Sequence, residues 1–461
     1  MTRLTHFVIM SFSILDNDDV MSSKGNYTLA VVKGEESYDL LKSSFKDLFH
    51  AINNIIKEKK VRVNDIDIPV EIFLGGDYKF LLLIMGMKGA TADYACIWCT
   101  IHKSNRHDMS KPEKFYLQEE NARTLNKIKE DYKTRKLSCE HQPLLDIELD
   151  NIVIDELHLM LRVTDVLTKN LVTEAIEWDT KENLNKAPSQ RTNTHLDQLK
   201  EVINSCGVSF NVWEKKNGDG KGSGIYDFTS LMGSDKKLLL ESLPSKLKGI
   251  IKPTTSDTVI KLWKDFGELY GIINAKITSD TDISKYFKKA TQWISLFTSI
   301  GGTSTGYQKA RVTPYMHGMV YHVPHFMRKH TGVKQFTGQG VEKNNDDCRR
   351  IHLQKSNKWD AAKDVLLVSK RLEALASYER TPRSYLKRNA EYWGKEIKEK
   401  RAKQKLSTKT TRMCEEEEPN TENMSPKQLK DALKQMGVIT RVRNVKRLQE
   451  LYVDAMREQQ K

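Results

Sequence analysis

The strongest constraint on this chain is a pair of half-sites far apart in sequence. Cys96-Ile-Trp-Cys99 is a CxxC knuckle, and His317 and His322 form an HxxxxH pair 218 residues beyond Cys99. Thiolates and imidazoles at these spacings are the donor set of a tetrahedral zinc site. If one ion takes all four, the two ends of that long stretch must meet in space. Either half alone has an ordinary reading: a reduced, half-buried cysteine pair beside Trp98, or two polar histidines. His102, His107, His325 and His330 lie close enough in sequence to be alternative ligands.

The six cysteines stand at 96, 99, 139, 206, 348 and 414, too sparse for a disulfide scaffold and consistent with a reducing compartment. Lys and Arg number 75 against 61 Asp and Glu, a formal charge of +14 that points to a polyanionic partner, most often nucleic acid. No run approaches the ~20 apolar residues of a membrane span. The N-terminal "MTRLTHFVIMSFSILDND" lacks a small-residue cleavage site and reads as a strand rather than a leader.

Residues 4–15 and 27–32 are expected to be strands joined by a turn. Residues 36–60 repeat apolar positions at helical spacing. "IDIPVEIFLGGDYK" is expected to be a buried strand ending at Asp77, followed by a short apolar helix. The order implies an α+β layer. Helical periodicity recurs over 114–135, 154–177, 193–205, 229–250, 255–276 and 282–300, with "KKNGDGKGSG" at 215–224 as a polar break. Residues 338–379 are helical again. A basic then acidic stretch reads as a charged linker, and 424–459 as a compact pair of helices.

Two acids frame the Cys/His set. Asp77, at a strand end after two glycines, can hold Mg²⁺ through oxygen or simply cap the next helix. Glu342 lies in "GQGVEKNNDD", early in a helix, where the dipole favours a carboxylate in any case. Metal-dependent polynucleotide transfer uses paired metal ions about 4 Å apart, bridged by acids. Asp77 and Glu342 supply two of the three such acids.

At this point the chain resembles a known family. "FLGGDYKFLLLIMGMKGATADYACIWC" (73–99) is similar to the core of the catalytic subunit of the V(D)J recombinase and of the related Transib transposases. "YMHGMVYHVPH" (315–325) resembles the family's histidine pair, and "IDELHLMLRV" (154–163) a helix of its zinc-binding region. The resemblance covers roughly residues 1–380. It implies an α+β fold: an RNase H-like sheet with a large helical, zinc-bearing insertion. It also implies structural Zn²⁺ on Cys96, Cys99, His317 and His322, and Mg²⁺ or Mn²⁺ on Asp77 and Glu342 as catalytic acids. Phe336 matches a DNA-stacking aromatic.

The chain departs from the family at one place. The family's first catalytic Asp lies on a first strand upstream of the segment that begins here. Asp16, Asp18 and Asp19 fall on the following turn and are poor substitutes. The expectation is therefore a DNA-binding protein derived from a DD(E) transposase or recombinase, a fragment or catalytically impaired. The alternative is an active metal-dependent DNA transposase or endonuclease whose first acid comes from elsewhere. The truncation and the true position of the N-terminus stay open at this point.

The implied organisation is 1–113, part of the RNase H-like core with the CxxC; 114–311, the helical insertion; 312–380, the histidine pair and Glu342 helix; 381–423, a charged linker; and 424–461. "MSPKQLKDALKQMGVITRVRNVKRLQELYVDAM" (424–456) looks like a SAP-type DNA-binding module. Leu429, Leu433, Met436, Val438, Val445, Leu448, Leu451 and Val453 would form its core. Lys427, Lys430, Arg441, Arg443, Lys446 and Arg447 would face phosphates. A basic helical hairpin that binds protein is the other reading. The expected partner is DNA in the nucleus, with no membrane. A homo-oligomer or partner subunit is compatible with the family, but these residues do not specify one.

Overall fold

The computed structural model describes residues 6–218, 220, 222–376, 378, 399, 425–438, 440, 442 and 444–459. The chain divides into two compact units, Met1–Glu379 and Arg380–Lys461. The first combines helices with small sheets, as an α+β chain should.

Strands β1 (Phe7–Phe12) and β2 (Tyr27–Lys33) pair antiparallel, with Val8 opposite Val32 and Met10 opposite Ala30. Alternation sends their side chains to opposite faces. Val8, Met10, Ala30 and Val32 join the main core, whereas Ile9 and Val31 pack with Cys348, Ile351, Val365 and Val368. Those last four lie on α12 (Gln339–Gln354) and α13 (Ala361–Ala376). Both faces of this narrow sheet are therefore covered. Asp18 and Asp19 sit exposed in a short turn of helix between the strands.

The helix expected over 36–60 is two helices, α1 (Tyr38–Ser44) and α2 (Lys46–Glu58). The Ser43 hydroxyl donates to the Asp39 carbonyl, a local bond that competes with helix continuation. Of the buried strand expected to end at Asp77, only Ile66–Pro69 is strand, and it is exposed. Residues Lys60–Val63 (β3) and Ile66–Pro69 (β4) instead form an exposed hairpin, turned by Asn64 and Asp65 at positive φ. Such a turn suits Asn and Asp. Residues 70–76 belong to no strand, and Leu74 N–H donates to the Asn151 carbonyl at 2.9 Å. Helix α3 (Tyr78–Ile84) follows.

The helical layer runs α4 (Leu125–Thr134), α5 (Glu156–Glu182), α6 (Thr194–Asn204), α7 (Gly233–Lys246), α8 (Ser256–Ile273) and α9 (Asp280–Ser299). Of the helix expected over 114–135, α4 covers Leu125–Thr134, and a short 3-10 turn at Phe115–Leu117 and loop precede it. The polar break at 215–224 is the tip of a hairpin, β5 (Val212–Lys216) with β6 (Gly222–Phe228). Helix α5, 27 residues, is roughly 40 Å long at 1.5 Å per residue and packs against α6, α7 and α8. Its Asp179 carboxylate receives the His195 and Leu196 N–H groups, both at 2.9 Å, at the free N-terminus of α6.

Two short helices follow, α10 (Pro314–Tyr321) and α11 (Val323–His330). Every residue of α10 is buried, as an apolar helix surrounded by α5, α9 and α11 must be.

The second unit holds α14 (Pro426–Gln435) and α15 (Val445–Gln459). Ser425 caps α14 and Gln428 reaches back to the Ser425 N–H, a capping box. Leu429, Leu433, Leu448 and Ala455 form its core, with Met436, Val438, Val442, Leu451 and Tyr452 packed around them. Val445, expected inside, is exposed; the Val453 side chain lies outside the described residues. The 381–423 linker does too, apart from Glu399, which is helical.

Candidate metal centre and its acidic surroundings

The two half-sites meet. Cys96 Sγ lies 3.2 Å from His322 Nε2, and Cys99 Sγ lies 3.2 Å from His317 Nε2. One ligand atom from each of the four residues falls within 4.8 Å of all the others, and all four side chains are buried. A tetrahedral zinc with Zn–S near 2.3 Å and Zn–N near 2.0–2.1 Å spaces its ligand atoms roughly 3.3–3.8 Å apart. This group can hold a zinc ion. His102, His107, His325 and His330 are not in it.

The donor chemistry fits as well. Burial opposes a thiolate at Cys96, yet hydrogen bonds from Cys99, His317 and His322 hold that thiol well below its usual range. Burial and the adjacent Cys96 hold Cys99 well above it. Burial also lowers His317, favouring the neutral imidazole that a metal needs, and its Nδ1 has no protein partner. An ion held by all four would have no open position.

The surroundings explain why the knuckle sits where it does. Arg123, 4% exposed, donates from Nε to the Cys96 and Cys99 carbonyls, both at 3.0 Å. Its Nη2 donates to Tyr94 O at 3.0 Å and Leu137 O at 2.8 Å. One guanidinium thus ties four loop carbonyls together. Trp98 donates from Nε1 to Ile152 O at 2.9 Å and places its ring 5.2 Å from that of His322. A Cβ on Gly318 would come within 3.0 Å of Ile154 Cδ1, so glycine lets α10 approach this layer.

Asp77 is the N-cap of α3, its carboxylate accepting from Phe80 N–H at 2.8 Å. The adjacent Tyr78 N–H donates to the Tyr315 hydroxyl at 3.2 Å. Helix α10 therefore carries both this tie to the Asp77 turn and the ligand His317. Glu342 lies in the first turn of α12 with its side chain 50% exposed. Among the described residues, no third acid gathers with Asp77 and Glu342 into a three-ligand group.

Glu342 instead faces a group that the sequence reading did not single out. His158 Nε2 lies 3.4 Å from Glu342 Oε1, and His158 Nδ1 hydrogen-bonds Asp155. Asp155 also accepts from Leu157 N–H at 3.0 Å and Gly338 N–H at 2.9 Å. A Cβ on Gly338 would collide with Asp155 Oδ2 at 2.3 Å, so only glycine admits this carboxylate. Burial alone would lower His158; its bonds to Asp155 and Glu342 outweigh that and raise it to about 10. The i, i+3 spacing of Asp155 and His158 at a helix start was the one available signal.

Phe336 is half-buried and touches Phe73 and His330, ring centroids 5.0 and 4.8 Å apart. In the second unit, Lys427, Lys446 and Arg447 are exposed, Lys430 is partly so, and Arg447 pairs with Glu450 at 2.6 Å. Arg441 and Arg443 lie outside the described residues. Among the described residues no helix is long and apolar enough to cross a membrane.

No protein-family model matches this chain, and no curated protein matches it at a significant level.

Proposed function

We propose that this chain is a zinc-stabilised DNA-binding protein built on the scaffold of a DD(E) transposase or recombinase, acting in the nucleus. The observation that carries the reading is the Cys96, Cys99, His317 and His322 group. It joins the two halves of the sequence in the order that the resemblance to the V(D)J recombinase and Transib transposases requires. On this reading β1 and β2, covered on both faces, belong to an RNase H-like sheet. Helices α4 to α9 are then the insertion that zinc pins to it.

Net charge of +14 supports a nucleic-acid partner. The capped α14, the small core behind it and the exposed Lys427, Lys446 and Arg447 support a SAP-like module. Phe336 would reach DNA only by an edge, since Phe73 and His330 take part of its ring. Binding rather than cleavage is favoured because Asp77 and Glu342 lack a third acid among the described residues.

The test is a titration of the intact chain with a 30-base-pair duplex across a salt series. Binding should weaken steeply with salt. It should also fall when Lys427, Lys446 and Arg447 are changed together to glutamate. No binding at low salt would refute the proposal. Manganese-dependent nicking that disappears in both Asp77→Ala and Glu342→Ala would make the chain an enzyme instead.

A further inference from the structure

Six residues, 355–360, connect α12 to α13. Trp359 among them is 95% exposed, and no aromatic ring of the described residues touches it. The loop is not slack. Ser356 Oγ and Asn357 N–H both donate to Asp364 Oδ2, at 2.9 and 3.1 Å. Lys358 N–H donates to Ser356 Oγ at 3.0 Å and Trp359 N–H to Asn357 Oδ1 at 2.8 Å. Asp360 caps the next helix through Lys363 N–H at 3.2 Å. Lys358 itself holds a left-handed φ of 64°. A non-glycine residue keeps that conformation only where its surroundings fix it. An indole is thus held out to solvent on a frame of local hydrogen bonds.

The chemistry around the ring selects its occupant. Lys355, Lys358 and Lys363 are exposed, and none makes an ion pair among the described residues. The nearby arginines are already committed, Arg349 to Asp346 and Arg350 to Asp347. The exposed leucines nearest in sequence, Leu353 on α12 and Leu367 on α13, lie outside the loop. The loop offers Lys, Ser, Asn, Lys and Asp beside the indole. A flat π-face among free ammonium groups suits a base and its phosphates.

We propose that the Trp359 loop is a stacking platform for an unpaired DNA base, with Lys355, Lys358 and Lys363 on the flanking phosphates. This rests on the DNA-binding reading and names the form of DNA it engages.

The experiment uses the intact chain, a 12-nucleotide oligothymidine and a 12-base-pair duplex, with Trp359→Ala and Trp359→Phe. Loss of one stacked base is worth about 1–3 kcal/mol, or roughly 5- to 150-fold in affinity. Trp359→Ala should weaken single-strand binding by that factor and leave duplex binding within about twofold. Trp359→Phe should retain most of the affinity while losing the strand-induced quenching of the most solvent-exposed tryptophan emission. An unchanged melting temperature in both variants, expected for so exposed a side chain, excludes misfolding as the cause. Single-strand binding by Trp359→Ala equal to the parent overturns this inference alone, and a variant defect seen only in self-association overturns it in favour of a protein contact. Failure of the parent to bind either DNA removes the DNA-binding reading and this inference together.

Discussion

His158 joins α5 to α12 by placing its Nε2 3.4 Å from Oε1 of Glu342. The same ring is anchored on its other side by Asp155, which is 3% exposed. The two contacts differ in worth because their solvent differs. Asp155 and His158 are buried together, and removing one partner strands a charge. Glu342 keeps half its side chain in water, where an ion pair is worth little. His158→Ala should destabilise the first unit by about 3–5 kcal/mol, and Glu342→Gln by less than about 1 kcal/mol. Urea unfolding of the two variants measures the difference. Equal losses would show that the pair acts as one unit with Glu342, contrary to the burial.

Zinc should be part of the fold rather than an accessory. Two buried thiols and two buried imidazoles within 4.8 Å are otherwise a costly cluster. Metal analysis of purified protein should find one zinc per chain. Chelation should lower the melting temperature of the first unit, because the binding free energy of such a site is folding free energy. Cys96→Ser and His322→Ala should do the same. Metal-free protein that melts at the same temperature as the parent would refute a structural zinc.

What could be read from the sequence divides along a physical line. Local signals survived: Val8 to Met10 alternate as a strand should, the helical pair expected over 424–459 is present as α14 and α15, and CxxC with HxxxxH announced the buried Cys/His cluster. The stretch at 215–224 reads as a polar break, yet Lys216 pairs with Gly222 across a longer loop to make a hairpin. The apolar run at 70–76 read as a buried strand, but β-strand structure needs a ladder partner and none of the described residues provides one. Nothing in the sequence announced Arg123 as buried, and the i, i+3 spacing of Asp155 and His158 gave a pair but not its burial. Their partners are carbonyls and a helix up to 184 residues away, and a charged residue's burial depends on those partners.

The knuckle should depend on Arg123 as much as on its own cysteines. Methionine at this position would keep most of the volume and leave four carbonyls without their donor. Buried unpaired acceptors cost about 1–3 kcal/mol each, so Arg123→Met should destabilise by at least about 3 kcal/mol. Zinc transfer to a chromogenic chelator should also quicken, since the carbonyls fix the two thiolates. Arg123→Lys should recover only part of the loss, because one ammonium cannot span both carbonyl pairs. Zinc release from Arg123→Met at the parent rate would separate the guanidinium from the metal centre.

Asp150 gives the fold a defined acid limit. Its carboxylate accepts from His325 Nε2 at 3.1 Å and Lys329 Nζ at 3.0 Å, binding the loop before α5 to α11. The hydrogen bond from His325, reinforced by Lys329, holds this carboxyl well below the usual carboxylate range. A depressed acid contributes stability that is fully present above its unfolded value, about 3.9, and is lost as pH falls toward the folded one. The side chain is 55% exposed, so solvent screening keeps the contribution under about 1 kcal/mol. Asp150→Asn should therefore lower the urea midpoint by a constant small amount between pH 6 and 5. The gap should narrow below pH 4, where Asp150 of the unfolded parent takes up a proton while the folded carboxylate stays ionised, and the amide does not change. A gap that persists unchanged at pH 3, or that is absent at pH 6, would show that the His325 and Lys329 contacts do not set this carboxyl's charge.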